Sequence, residues 1–119
     1  MGVNGLLNVN KPAGCTSFSI VANVRRLSGE RRVGHAGTLD PAASGVLPVC
    51  LGQATRVAEY LLHFSKEYVA GIELGISTDT YDGEGHVTGR GSLHNISLAS
   101  VEDALQAFED AMQLDPDFA

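Results

Sequence analysis

The 119-residue chain contains no tryptophan, and aromatic residues make up only 6% of it, so its core has to be mostly aliphatic. Cysteine is also scarce. Cys15 and Cys50 form no C-x-x-C pair, and Cys50 lies in an apolar run. That excludes a C-x-x-C dithiol motif, and two reduced, buried thiols are the preferred reading. No apolar run approaches the roughly 20 residues of a membrane-crossing helix. No basic stretch followed by an apolar segment opens the sequence, as a secretory signal would require. A soluble, cytosolic protein is the expectation. The four histidines, His35, His63, His86 and His94, include no pair at metal-ligand spacing, so no metal is expected. Phosphate-loop, dinucleotide and G-x-S-x-G patterns are absent, and "DTYDGEG" (79–85) fails the calcium-loop pattern because Thr78 and Thr80 fall where carboxylates are needed.

Apolar residues make up 44% of the chain, which suits a globular fold, and the length suits one domain at most. The net charge of −6 is unevenly spread. Residues 1–56 carry +4, from Lys11, Arg25, Arg26, Arg31, Arg32 and Arg56 against Glu30 and Asp40. Residues 57–119 carry −10. A basic half beside an acidic half suggests that the first half faces a polyanion.

Periodicity gives the elements. "GLLNVNKPAG" (5–14) reads as a strand closed by a turn at Pro12 and Gly14. Ser17 is placed to cap a helix through Leu27, with Phe18, Val21, Val24 and Leu27 on its apolar face, and Gly29 ends it. Residues 30–45 read as a basic, glycine-rich loop. "VLPVCLG" (46–52) is a short strand in which Pro48 suggests an edge position or a bulge. "QATRVAEYLLHF" (53–64) reads as a helix and "KEYVAGIELGIST" (66–78) as a strand. A turn at Asp82-Gly83 and a returning strand over 86–91 follow. Ser100 and Asp103 suggest the start of a final helix with Val101, Ala104, Leu105, Phe108 and Met112 inward. Residues 113–119 show no pattern. The order predicts an α+β domain with a mixed, mainly antiparallel sheet and flanking helices.

One carboxylate stands out. Asp40 follows Gly34 and Gly37 and precedes Pro41 and Gly45. The glycines permit a left-handed backbone or close approach to a ligand, and Pro41 biases Asp40 away from helical geometry. An acid held so rigidly suits a nucleophile, a base or an electrostatic stabiliser. Turn chemistry alone favours a plainer role, an Asx-turn in which Asp40 bonds backbone two residues on. His35 and Thr38 flank the acid and are candidates for substrate contact. Tyr68 is either a platform for a nucleobase or a cross-strand aromatic.

Together these stretches resemble the N-terminal part of the TruB-type tRNA pseudouridine synthases. The resemblance is carried by "GLLNVNKPAGCTS" (5–17), "VGHAGTLDPAASGVLPVCLGQATR" (33–56), "YLLHFSKEY" (60–68) and "LGISTDTYDGEG" (74–85), and by their spacing. It extends over residues 1–112, and 113–119 depart from it. It implies a pseudouridine-synthase-like fold and isomerisation of a uridine at position 55 in the T loop of tRNA, without cofactor or metal. Asp40 matches the catalytic aspartate, and His35 and Tyr68 match residues that engage the RNA loop and the extruded uracil. "NVNKPAG" matches a motif read as mainly structural, with Lys11 a candidate to face phosphate.

The chemistry suits these residue types. A uridine must leave its stack before its sugar–base bond can be reached. Cleaving that bond develops positive charge at C1′, which a carboxylate can stabilise or trap covalently; removal of a sugar proton is the alternative. The family's downstream arginine, which pairs with the acid, a second aromatic and a C-terminal RNA-binding domain have no counterpart in 1–119. The resemblance therefore implies a truncated synthase with tRNA, through its T-arm stem-loop, as partner. A monomer with no membrane association is expected. A non-catalytic RNA-binding remnant is the rival, and a bare structural domain a third reading.

Overall fold

The structure, a computed structural model, describes residues 2–114. They fall into two compact units, Met1–Tyr68 and Val69–Ala119.

The first unit contains β1 (Gly5–Lys11), α1 (Ser17–Ser28), β2 (Val33–His35), β3 (Gly45–Leu51), a 3-10 helix (Gly52–Val57) and α2 (Ala58–Leu61). The sheet runs β1-β3-β2 and every pairing is antiparallel. Alternate residues of β3, Leu47, Val49 and Leu51, meet Val33 of β2 and Val21 of α1 in the core. Val9, Ile20, Val24 and Leu39 pack around them. Each buried aliphatic contributes roughly 1.5–3 kcal/mol, so five of them make a thin core and local clamps matter. The α+β expectation holds. The expected apolar face of α1 is shifted, however: Phe18 and Leu27 are exposed, and Ile20 packs inward.

Four details of this unit depart from the sequence reading. Helix α1 is capped by Thr16, whose side chain accepts the Ser19 N–H at 3.1 Å, which leaves Ser17 for another task. Gly29 closes the helix as expected, at φ 69°. Residues 33–35 are a strand within the expected loop. β3 is central, so Pro48 is not at an edge. Pro48 lies opposite Asn8 on β1, and its carbonyl accepts the Ala36 N–H at 2.9 Å on the other side. A residue's N–H and C=O point to the same neighbouring strand in an antiparallel sheet, so the missing donor faces the point where β2 stops. Lastly, the helix expected over 53–64 breaks into a 3-10 turn and a short α-helix. Gly52 adopts φ 60°, and a β-carbon there would run into Asn4 and the Val3 carbonyl. Asn4 Oδ1 accepts the Gln53 N–H at 2.7 Å, and the Thr55 hydroxyl donates to the Gly52 carbonyl at 2.8 Å. These side chains compete with regular helix bonding.

Cys50 is buried, which pushes its thiol pKa up, whereas Cys15 is only half-buried. Both are free.

The second unit contains the antiparallel hairpin β4 (Ile76–Thr78) and β5 (Val87–Arg90), then α3 (Leu98–Leu114). Of the strand expected over 66–78, only the last three residues pair, because β5 supplies a partner for no more. Helix α3 starts a turn before the expected cap. Ser97 Oγ accepts the Ser100 N–H at 3.1 Å, and Ser100 Oγ accepts the Ser97 N–H at 2.9 Å, a reciprocal capping pair. Gln113 and Leu114 belong to this helix, and 115–119 lie outside the described residues.

The turn between β4 and β5 hangs on two carboxylates. Asp82 Oδ1 accepts the Thr80 hydroxyl at 2.6 Å and the Glu84 N–H at 2.9 Å, and Asp79 Oδ1 accepts the His86 N–H at 2.8 Å. The Thr80 hydroxyl, then the Glu84 N–H, hold the Asp82 pKa below the ordinary aspartate range. A carboxylate lowered on folding stabilises the fold above its unfolded pKa, and that contribution is lost as pH falls through the folded value. Acidification below about pH 4 is therefore expected to reduce the protection of the Glu84 amide, relative to its intrinsic exchange rate at each pH, before it affects α1. Proton NMR across an acid titration checks this, and Asp82→Asn should show the reduced protection already at neutral pH.

Candidate active site

Residues 36–44 connect β2 to β3 and carry Asp40 at the surface. Both sides of the acid are tied down. On the N-terminal side, Ser17 Oγ accepts the Leu39 N–H at 3.0 Å and donates to the Leu39 carbonyl at 3.0 Å, while the Leu39 side chain packs against the core. On the C-terminal side, the Pro41 carbonyl accepts the Gly14 N–H at 2.7 Å and the Lys11 ammonium at 3.3 Å. The Asp40 carbonyl accepts the Ala43 N–H at 3.0 Å, closing a tight turn. The loop is thus held by the turn after β1, by the start of α1 and by its own backbone.

Lys11 corrects an expectation. Its side chain is 0% exposed and does not face phosphate. The ammonium gives its three donors to the carbonyls of Pro12 at 2.8 Å, Cys15 at 2.7 Å and Pro41 at 3.3 Å. An ammonium has three N–H bonds and no acceptor capacity, so three convergent carbonyls satisfy it in full. Lys11 pins the turn after β1 to the Asp40 loop.

The Asp40 carboxylate, by contrast, accepts no hydrogen bond and meets no cation within ion-pair distance among the described residues. The Asx-turn that turn chemistry favoured is not formed. None of the arginines pairs with it; Arg25 is spent on the Val33 carbonyl at 3.0 Å. A fixed backbone bearing a free acid is the arrangement a reacting carboxylate needs, since its oxygens remain available to a ligand.

His35, half-buried at the end of β2, places Nδ1 2.9 Å from the Gly37 carbonyl. A carbonyl can only accept, so Nδ1 carries the proton in that bond, and in the neutral ring Nε2 is the acceptor. Tyr68 is 64% exposed and lies in a stretch without regular structure. The structure brings none of Asp40, His35 and Tyr68 into contact with another through a hydrogen bond.

Two residues escaped the sequence reading. Ser17 passed for a cap; the signal was its neighbour Thr16, since two capping residues in tandem cannot both cap one helix. Lys66 donates to the Leu62 carbonyl at 3.0 Å and lays its Cε 3.4 Å from where a β-carbon on Gly37 would stand. Gly37 adopts φ 91°, so glycine there serves both the backbone and this close approach. Lys66 thereby lays its aliphatic stem against the loop from far along the sequence, which no local pattern announces.

Fold and site define a small α+β protein that displays a single free carboxylate on an anchored loop. A family model described as TruB family pseudouridylate synthase (N terminal domain) matches residues 25–118. The tRNA pseudouridine synthase B of Dehalococcoides mccartyi strain CBDB1 is 49% identical over 115 residues, 96% of this chain and 38% of that one. That of Clostridium novyi strain NT is 47% identical over 115 residues, 96% of this chain and 39% of that one. The chain belongs to the TruB family of pseudouridylate synthases, and it spans about 38% of the length of the curated relatives it matches. A chain in a crystal structure of the archaeal box H/ACA sRNP Nop10-Cbf5 complex is 51% identical, with a TM-score of 0.45, over 46% of this chain and 18% of that one. No helix among the described residues is long and apolar enough to cross a membrane.

Proposed function

We propose that this chain carries the N-terminal part of the catalytic domain of a tRNA pseudouridine synthase acting on uridine 55 in the T loop, with Asp40 as the catalytic carboxylate. The observation that carries this reading is the free Asp40 side chain on a loop anchored at Leu39 and Pro41. The reaction is an isomerisation. The N1–C1′ bond breaks, the uracil turns, and C5 bonds to C1′; the C5 proton leaves and N1 gains one. Asp40 serves either by attack on C1′ or by taking a sugar proton, and both roles need an unencumbered oxygen. The exposed ring of Tyr68 suits stacking on an extruded base, worth about 1–3 kcal/mol. His35 offers Nε2 to the RNA loop. Exposed Arg26, Arg31, Arg32 and Arg56 suit phosphates of a T-arm stem-loop. The reading involves no cofactor and no metal, and it places the protein in the cytoplasm as a monomer.

A binding-only role has one observation in its favour, the lack of a cation beside Asp40 among the described residues. The test is to incubate the 119-residue chain with a T-arm stem-loop and assay pseudouridine, alongside binding at rising salt. Product at position 55 is the expected result. Salt-sensitive binding without product would leave the binding-only role standing instead.

A further inference from the structure

Serine hydroxyls inside helices usually bond their own helix backbone. Two in α1 do so: Ser19 donates to the Thr16 carbonyl at 2.7 Å and Ser28 to the Val24 carbonyl at 2.7 Å. Ser17 does not. It is 3% exposed, and its hydroxyl serves both backbone groups of Leu39, 22 residues away. Thr16 has already supplied the helix cap, so Ser17 is not needed for it. One side chain thus substitutes for a strand partner at the residue immediately before Asp40. It sits on a helix whose Val21 is part of the core, so the loop is tied to the core of the first unit.

We propose that Ser17 is a positioning residue for Asp40, fixing where the carboxylate stands by holding both polar groups of Leu39. The inference rests on the reading of Asp40 as the catalytic carboxylate. A purely structural serine would affect stability and activity together. A positioning serine affects turnover more than its share of stability.

The test compares Ser17→Ala with Val21→Ala, which thins the core beneath the same helix without touching Leu39. Four quantities are read in each: turnover on saturating T-arm stem-loop, affinity for it, thermal midpoint, and amide exchange at residue 39. Ser17→Ala is expected to lower turnover about 10–100-fold, the cost of a misplaced reacting group, with affinity little changed and residue 39 exchanging faster. Val21→Ala is expected to lower the thermal midpoint at least as far and keep its turnover. Unchanged turnover in Ser17→Ala, or an equal loss in Val21→Ala, would overturn the proposal. If the unsubstituted chain forms no product, the activity reading fails by itself and exchange decides for Ser17. Faster exchange confined to residues 39–43 in Ser17→Ala supports the positioning role, and no local change overturns it.

Discussion

Asp40→Asn is expected to abolish pseudouridine formation, a loss on the order of 10⁴-fold or more, while the T-arm stem-loop binds as before. An amide matches the carboxylate in size and neither attacks C1′ nor takes a proton at neutral pH. Binding is spared because the Asp40 side chain makes no hydrogen bond or ion pair among the described residues that its removal would disturb. For the same reason the thermal midpoint should stay put, as changes at exposed, unpartnered positions usually do. The measurement is product per enzyme at saturating RNA, with affinity and melting in parallel. Retained turnover in Asp40→Asn would remove Asp40 from the chemistry. A large drop in melting temperature would mean that the side chain supports the loop, contrary to its free state here.

Lys11→Met is expected to produce the largest loss of stability. Methionine keeps most of the aliphatic stem but none of the three donors. The Cys15 carbonyl loses its ammonium partner, and the Pro12 and Pro41 carbonyls keep only the Cys15 thiol and the Gly14 N–H respectively. Hydrogen bonds to charged groups contribute about 1.5–3 kcal/mol each, and shared geometry makes them less than additive, so a loss of about 2–4 kcal/mol is expected. For a small domain that corresponds to a fall of roughly 10–20 °C in the thermal midpoint. Calorimetry or thermal circular dichroism reads it. A shift within a degree or two would show that the buried ammonium is dispensable and that Gly14 alone holds Pro41.

The contrast between these two residues explains what the sequence could disclose. Asp40 is legible because its environment is local: glycines before it and proline after it prescribe an unusual turn. The strand ending at Lys11, helix α1 and its Gly29 stop are legible for the same reason, since period and caps act over a few residues. Lys11 and Ser17 act across 30 and 22 residues, and their partners are backbone groups, which leave no side-chain signature. A buried lysine also inverts the usual rule, and so Lys11 read as a phosphate contact. The strand expected over 66–78 failed differently. Its alternation is real, but a strand needs a neighbour, and only Ile76–Thr78 finds one among the described residues. Likewise, the apolar period over 53–64 could not register that Asn4 would claim the Gln53 N–H.

Pro48 sets a length as well as a pairing. Any residue with an N–H at that position could return the bond that Ala36 makes to it and extend β2 by another pair. Chain taken into the sheet would be withdrawn from the segment that hangs the acid outside it. An absent proton in the middle of a sheet thus works as a stop on a sliding scale. The length of the loop that carries Asp40 is metered there, on the strand opposite, by an atom the ladder lacks.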